Sequence, residues 1–502
     1  MVYRSPTTPA RSSTVSRALA RDRVGVPSVW SFIMSGIAPL TVAAGVITSA
    51  YATTGLTGIP FAFVVIAVVL ALFVPGYMAM SRNIVNAGAF YAFITRGLGK
   101  PAGVAAALVA LLAYSFLQVG LYGAFGPAAQ AEAQAHLHLN APWWAWALAG
   151  WAIVTVLGLL RVDITGKVLG VLTTVEVIVI IIEIIAGLAH PAGGHLSFSP
   201  LSPGSLGSAG WGTFGVLAVV AGLGFVGFEQ APVLAEETKN PRRTIPTATY
   251  LALTVIAVVY AGAAWAMAAH AGPSHVVAAA GAEGPALMFG MGGSTLADIA
   301  QFLFMTSLFA ALLAFHNAVW RYTFAISRER VLPALLSQTG ANSVPKAASL
   351  AQSLTGLAVI VLYALGGWAP MTDLFFWLGT TGGFGILILL ALTSAAVIRF
   401  FRTGPGAGTA ETVWTRMAAP AVSAICLAVI VVLAVMHYAT LLGVAPGSPA
   451  AWLLPASFAV VAIAGLGWAA VLRSRRPDIY ASIGLGPAAI TSQLTPARAA
   501  RP

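Results

Sequence analysis

The sequence predicts an all-α integral membrane protein with about twelve transmembrane helices. Of its 502 residues, 59% are hydrophobic and only 8% are charged, whereas an ordinary soluble protein has roughly 25% charged residues. Long apolar runs recur along the whole chain, and a helix that crosses a bilayer needs roughly 20 mainly apolar residues. These runs are longer and more uniformly apolar than the alternating segments of about ten residues that form a β-barrel. Helices are therefore favoured.

Twelve apolar runs are long enough to be membrane spans, numbered 1 to 12 in chain order. They lie at 28–53, 59–80, 101–126, 142–160, 165–188, 211–235, 247–270, 295–327, 347–366, 371–399, 417–440 and 451–473. Residues 1–27 form an N-terminal tail, and residues 474–502 form a C-terminal tail. We expect the C-terminal tail to be a mobile end, because chain ends without buried contacts are poorly ordered.

The lysines and arginines predict the orientation of these spans. If both termini are placed inside the cell, all 25 Lys and Arg residues lie on the inner side: five in the N-terminal tail, five from Arg473 onward and fifteen in alternate loops. The loops on the other side, 127–141, 189–210, 271–294 and 441–450, contain none. Cytoplasmic loops collect Lys and Arg during insertion. The pattern predicts a multi-pass protein of the cell membrane with cytoplasmic termini, and the net charge of +11 does not indicate a nucleic-acid partner.

Glycine and proline interrupt spans 1 and 6. Span 1 contains Gly36, Pro39 and Gly45, and span 6 has three glycines between positions 222 and 227. Proline removes a helix hydrogen bond, and glycine lowers helix preference by about 1 kcal/mol relative to alanine. The two spans lie five apart and so cross in opposite directions, as an inverted five-helix repeat requires. Paired discontinuous helices indicate a transport site at the midplane; the alternative is that the glycines only permit close helix packing.

Three segments resemble the amino acid-polyamine-organocation (APC) superfamily of permeases. The stretch GFVGFEQAPVLAEETKNPRRTIPTATYLAL, residues 224–253, resembles the sixth helix and following loop of that family. NAGAFYAFITRGLG, residues 86–99, resembles its loop between helices 2 and 3, and FHNAVWRYTFAISRERVLP, residues 315–333, resembles the end of its helix 8. The resemblance covers roughly residues 28–400.

The resemblance implies a ten-helix transport core that works by alternating access. Its two inverted repeats would be residues 28–188 and 211–400, with spans 11 and 12 added in residues 401–473. Family members usually have a small-residue break in helix 1, whose amides hold a substrate carboxylate. Here Pro39 stands in that stretch and has no N–H to donate, which weakens the inference of an α-amino acid substrate.

The predicted substrate site combines both interrupted spans with two polar residues of span 3. Tyr114 and Gln118 lie on one helix face, because they are four residues apart; hydrogen bonding between helices is the alternative role for both. Leu223 stands at the family's aromatic gate position, with Phe225 two residues on. The full predicted set is Ser35, Gly36, Ala38, Pro39, Thr41, Tyr114, Gln118, Gly222, Leu223, Gly224, Phe225 and Gly227.

Three acidic residues lie away from the ends of the predicted spans: Glu176, Glu183 and Glu229. A charged side chain at membrane depth costs about 3 kcal/mol or more, so such a residue indicates function by default. Glu176 lies about 16 Å from the start of span 5, at 1.5 Å per residue, which is mid-bilayer. Some proton-coupled members of the superfamily have a lysine at the aligned position, where sodium binds in sodium-driven relatives.

Glu176 and Glu229 are the predicted proton- or ion-coupling residues. Glu176 has three candidate functional roles, as proton carrier, cation ligand or counterion of a substrate amine, and a structural hydrogen bond is the alternative. Glu229 follows the break in span 6 and would either couple to protons or stabilise the break. Glu183 lies nearer the outer end of its span, and a structural role is favoured for it.

These observations predict a secondary active transporter for amino acids or related small amines, with proton symport favoured over exchange of amino acids and polyamines. Three acids within the spans, set against Lys and Arg residues that are all assigned to the inner side, favour a substrate that bears an amine. A channel and a membrane enzyme are the less favoured classes. The sequence lacks a GxxxxGK[ST] phosphate loop, so direct use of ATP is not expected. Neither a metal nor a cofactor is predicted, and the oligomeric state is not indicated.

Overall fold

Helices dominate the computed structural model of the chain, which describes residues 24–84, 88–160, 162–206, 210–234, 238–339 and 344–486. Within these ranges there is no β-strand, and a single bridge joins Val24 to Thr238. Most of the predicted N-terminal tail, and the predicted C-terminal tail after residue 486, lie outside the described residues.

The α-helices of the described residues are numbered in chain order. They are α1 Val26–Ile37, α2 Ile47–Thr54, α3 Ile59–Asn83, α4 Ala89–Leu98, α5 Lys100–Leu137, α6 Trp143–Gly158, α7 Val162–Ala189, α8 Trp211–Phe225, α9 Pro241–Ala271, α10 Val276–Glu283, α11 Ala286–Phe289, α12 Ser294–Arg328, α13 Lys346–Gly366, α14 Trp377–Arg402, α15 Ala419–Met436, α16 Tyr438–Leu442, α17 Ala450–Arg475 and α18 Pro477–Ser482. Wider π-helical turns occupy Thr41–Val46, Pro370–Phe376 and Trp414–Ala418, and tighter 3₁₀ turns occupy Ala192–Gly194, Ser199–Leu201, Pro203–Leu206, Phe228–Leu234 and Ala334–Ser337.

Ten helical segments of the described residues are long and apolar enough to cross a membrane. They coincide with ten of the twelve predicted spans, including the interrupted segment Val26–Thr54. Predicted spans 4 and 6 correspond to the shorter apolar helices α6 and α8, of 16 and 15 residues. The all-helical class is therefore confirmed, while the number twelve stays a prediction.

The central helix α5 is longer than the sequence suggested. The predicted loop 127–141 is wrong for its first eleven residues, because α5 continues through Pro127 to Leu137 and has 38 residues. The stretch after Pro127 is rich in alanine and glutamine, which have high helix preference. α5 packs against α4, α6, α12, α14 and α17, and glycine on its surface permits close approach: a Cβ at Gly126 would lie 2.6 Å from the carbonyl oxygen of Trp143.

The predicted mobile C-terminal end is wrong for residues 477–486, which fold onto the bundle. The ammonium group of Lys100 donates to the carbonyl oxygens of Tyr480 and Ala481 over 2.8 and 2.9 Å. A cation is favourable near the C-terminal end of a helix, where carbonyl groups lack partners within the helix. Lys100 thus stabilises the end of α18.

The buried side chain of Glu329 holds the turn that follows α18. One carboxylate oxygen accepts the amide of Gly484 and the other accepts the amide of Gly486, both at 2.6 Å. The hydroxyl of Tyr91 in α4 also donates to this carboxylate. Burial raises the pKa of Glu329, and the Tyr91 hydroxyl and the two amides oppose this shift because they stabilise the charged form. Glu329 thereby ties α4 and the end of α12 to the C-terminal segment.

We expect the substitution Glu329→Gln to lower the midpoint of thermal unfolding in detergent. A glutamine has a single side-chain oxygen, so its NH₂ group would face one of the two glycine amides. A buried donor without an acceptor costs about 1–3 kcal/mol. Glu411→Gln is the control, since Glu411 pairs with Arg82 where both side chains are partly exposed and such pairs contribute about 1 kcal/mol or less. Equal midpoints for the two variants would contradict the role given to Glu329.

Candidate functional site

The first predicted span is interrupted after α1. Ala38 has φ 50° and ψ 74°, the left-handed region, and helical geometry resumes at Pro39 and becomes π-helical at Thr41. An L-residue in this region costs roughly 1–2 kcal/mol, and Pro39 removes a backbone donor at the same place. The break therefore depends on contacts from the surrounding helices to hold it open.

The sixth predicted span is interrupted at Val226 and Gly227. α8 ends at Phe225, Val226 is extended with φ −59° and ψ 130°, and Gly227 has φ 121°. A Cβ at Gly227 would lie 2.8 Å from the backbone nitrogen of Ile37, the last residue of α1. The two interrupted helices therefore touch at Gly227, and glycine is required there by both its φ angle and the close contact.

Glu176 of α7 lies against the break in the first span. The side chain is 1% exposed, and its Oε2 atom accepts the hydroxyl of Ser307 in α12 at 2.7 Å and the amide of Leu40 at 3.5 Å. Ser307 Oγ in turn accepts the amide and the hydroxyl of Thr41 at 3.2 and 3.1 Å. Side chains from two other helices thus satisfy the amides that the break exposes.

Glu229 plays the corresponding part at the second break. Its Oε2 atom accepts the amide of Gly227 at 2.9 Å, and its Oε1 atom accepts the hydroxyl of Tyr114 in α5 at 2.7 Å. The hydroxyl of Tyr77 in α3 donates to the carbonyl oxygen of Glu229 at 2.7 Å. The side chain is fully buried, so the second break is fixed to α3 and α5 by hydrogen bonds inside the bundle.

A cavity lies beside the first break, among residues of α5, α8, α12 and α14. Thr41 is the polar side chain of its lining, Gly36 and Ala38 of the first break also line it, and the other lining side chains are apolar. The lining residues are Gly36, Ile37, Ala38, Thr41, Val42, Val46, Leu117, Leu121, Leu223, Val226, Ala311, Phe315, Phe375 and Gly379. Neither Glu176 nor Glu229 is among them.

The family model for amino acid permeases matches residues 29–479. The chain belongs to the amino acid permease family. Together with the ten apolar helices of membrane-spanning length, this makes the chain a multi-pass membrane protein.

Curated relatives are similar to this permease at low identity. It is 28% identical over 248 residues to uncharacterized transporters of Mycobacterium tuberculosis and Mycobacterium bovis, which covers 49% of this chain and about half, 54%, of their length. It is 26% identical over 335 residues to the branched-chain amino acid permease BcaP of Lactococcus lactis, which covers 63% of this chain and 70% of that protein.

Only part of the predicted substrate set lines the cavity of this permease. Gly36, Ala38, Thr41 and Leu223 do so, and Pro39 lies between them in the first break. Tyr114 and Gly227 bond to Glu229 instead.

The other predicted residues of this permease lie in helix contacts. Ser35 Oγ donates to the carbonyl oxygen of Ser31 and lies 3.4 Å from Thr173 Oγ1. The side chain of Gln118 donates to the Tyr122 hydroxyl in the same helix and accepts from the side-chain amide of Gln352 in α13. The second of these hydrogen bonds joins two helices, as in the alternative role given above.

The glycines of α8 also serve packing. Gly222 and Gly224 lie within the helix, where a Cβ would meet Leu387 at 3.0 Å and Phe63 at 2.8 Å. The ring of Phe225 packs against Phe63 and against Tyr260.

Several residues at the centre of the permease were not indicated by sequence. Ser307 is one hydroxyl among many in the spans, so nothing in the sequence marks it as the partner of Glu176. Phe375 and Gly379 are apolar residues in an apolar span and gave no signal. Glu183 was expected to be structural, and its Oε2 atom accepts the amide of Gly292 at 2.7 Å, before α12.

We expect Gly227→Ala to lower the midpoint of thermal unfolding of the permease in detergent. The added methyl group would meet the Ile37 backbone, and the φ angle of 121° is unfavourable for alanine by about 1–2 kcal/mol. Gly212→Ala in α8 is the matched control, because its Cβ would have no neighbour closer than 3.5 Å and alanine favours helix. A Gly227→Ala protein as stable as this control would contradict the break at position 227.

Proposed function

We propose that the protein is a secondary active transporter that moves amino acids with apolar side chains across the cell membrane by alternating access, driven by protons. The observation that carries the proposal is the cavity beside the two interrupted helices, which residues of the first break and apolar side chains line together. Membership of the amino acid permease family supports the same activity.

The lining of the cavity favours an apolar side chain on the substrate. Leu117, Leu121, Val226 and Phe375 contribute hydrocarbon surface, and burying an aliphatic side chain contributes about 1.5–3 kcal/mol. A second charge on the substrate would find no acidic or basic side chain in this lining, and an unpaired buried charge is costly. The lining argues against a polyamine, because Glu176 and Glu229, the acids that favoured an amine in the substrate, are not among the lining residues. The Lactococcus relative is named for branched-chain amino acids.

The polar end of the cavity supports recognition of an amino acid head group. The last carbonyl groups of a helix lack partners within the helix, and α1 ends at Ile37, next to the cavity. Such carbonyls attract an ammonium group. Thr41, which also lines the cavity, has a hydroxyl group.

Glu176 is the proposed proton carrier, because it contacts the first break directly. As a carboxylate, Glu176 accepts hydrogen bonds from the Leu40 amide and the Ser307 hydroxyl. Protonation removes the negative charge that strengthens these two hydrogen bonds. Protonation thereby changes the relative free energies of two arrangements of the break, which is the requirement for coupling. Glu229 stabilises the second break in the same proposal.

The proposed topology has twelve spanning helices, with α6 and α8 as spans 4 and 6. An even number places both chain ends on the cytoplasmic side, together with the Lys and Arg residues. In this arrangement the two breaks belong to inverted repeats of five spans each, residues 28–188 and 211–400.

The transport proposal is tested by counterflow in proteoliposomes. Vesicles loaded with unlabelled leucine are expected to accumulate radiolabelled leucine transiently, since only a carrier is accelerated by solute on the opposite side. Labelled putrescine is expected to show no such accumulation. Passive equilibration without counterflow would indicate a channel, and the absence of leucine movement would contradict the proposed function.

We expect Glu176→Gln to abolish the stimulation of leucine uptake by an inward proton gradient, because an amide cannot take up the proton. Leucine counterflow, which needs no net proton movement, is expected to persist. Glu183→Gln is the matched control on the same helix and should keep the stimulation, since Glu183 bonds to Gly292 away from the breaks. Proton-stimulated uptake by Glu176→Gln would rule out the coupling role. If a sodium gradient stimulates the wild type instead, and Glu176→Gln loses that stimulation, Glu176 belongs to a cation site.

A further inference from the structure

The glycines of α14 differ in the space around them. A Cβ at Gly383 would lie 3.0 Å from Leu223 Cβ, and a Cβ at Gly382 would lie 2.7 Å from Leu117 Cγ. These two positions have no room for a side chain. At Gly379, the only atom of the described residues within 4 Å of such a Cβ, apart from the adjoining backbone of α14 itself, is Leu223 Cδ2, at 3.7 Å, which is an ordinary van der Waals distance.

Gly379 is also the α14 glycine that lines the cavity. Phe375, in the π-helical turn that leads into α14, lines it as well. Gly120 of α5 brings that helix close to this point, since its Cβ would lie 3.3 Å from the amide nitrogen of Gly379. The absence of a side chain at position 379 thus leaves open space in a wall that is otherwise closely packed.

The wall that contains Gly379 belongs to the apolar part of the cavity lining. The first break contributes Gly36, Ala38 and Thr41, while α5 and α8 provide leucine and residues 375 and 379 provide phenylalanine and glycine. A substrate whose head group binds at the first break therefore has its side chain among these apolar residues, and the wall that contains Gly379 is one of their sides.

We propose that Gly379 determines the largest side chain that the permease accepts, so that a hydrogen at this position admits branched aliphatic side chains. The inference rests on the transport function proposed above. An alanine at position 379 fits the fold, because its methyl group has contact distance to Leu223 and alanine favours helix over glycine by about 1 kcal/mol. The methyl group added at position 379 occupies space that the side chain of a leucine substrate needs. The side chain of an alanine substrate is too short to reach that space.

The experiment compares transport of leucine and alanine by the wild type and by Gly379→Ala in proteoliposomes. One methyl group in an apolar pocket changes discrimination by roughly 10-fold or more, so the ratio of kcat/KM for leucine over alanine is expected to fall about 10-fold. Gly467→Ala is the matched control: it lies in α17 away from the cavity, its Cβ would have no neighbour within 4 Å, and its ratio is expected to stay at the wild-type value.

A compensating variant separates a size effect from damage to the fold. Leu223→Val shortens the side chain nearest to position 379 by one carbon. The double variant Gly379→Ala, Leu223→Val is therefore expected to regain the leucine selectivity that Gly379→Ala alone loses. Such a recovery is an energetic coupling between neighbouring residues. An unchanged ratio in Gly379→Ala, an equal loss for both substrates, or no recovery in the double variant would overturn the inference while leaving the transport function standing. A wild type that carries neither amino acid would overturn the proposed function and this inference with it.

Discussion

Backbone amides that leave a helix inside a membrane need hydrogen-bond partners, and the centre of this molecule is organised around that need. Without water in the bilayer core, each unsatisfied group costs several kcal/mol. At the first break the partners are Ser307 and Glu176, and at the second break the partner is Glu229. The two breaks in turn touch each other at Gly227, so the contacts that stabilise one position also constrain the other.

This arrangement explains how a cavity with apolar walls exists beside two buried carboxylates. Both acids bind backbone or hydroxyl donors and stay out of the lining. Thr41 connects the cavity to the hydrogen bonds of Glu176, because it lines the cavity and also donates to Ser307. A change in the cavity can therefore reach Glu176 through two consecutive hydrogen bonds, by way of a single residue.

The sequence predicted the elements well where local pattern is sufficient. Hydropathy located the spans to within a few residues at most ends, and the residues of spans 1 and 6 indicated where helices would be interrupted. Local pattern did not distinguish the three glycines of span 6, of which Gly227 lies at the break while Gly222 and Gly224 contact neighbouring helices. It also missed the extension of α5 beyond Pro127, because helix preference and proline act in opposite directions there.

The sequence by itself determined that this chain is helical, suited to a membrane and related to amino acid permeases, since composition, apolar run length and short motifs are local properties. Only the tertiary structure decided which polar residues face one another. Glu176 and Ser307 are 131 residues apart in the chain, and Glu329 and Gly484 are 155 apart. Which side chain meets which across such separations depends on how long helices pack, and the order of residues along one helix does not encode the rotation of its neighbour.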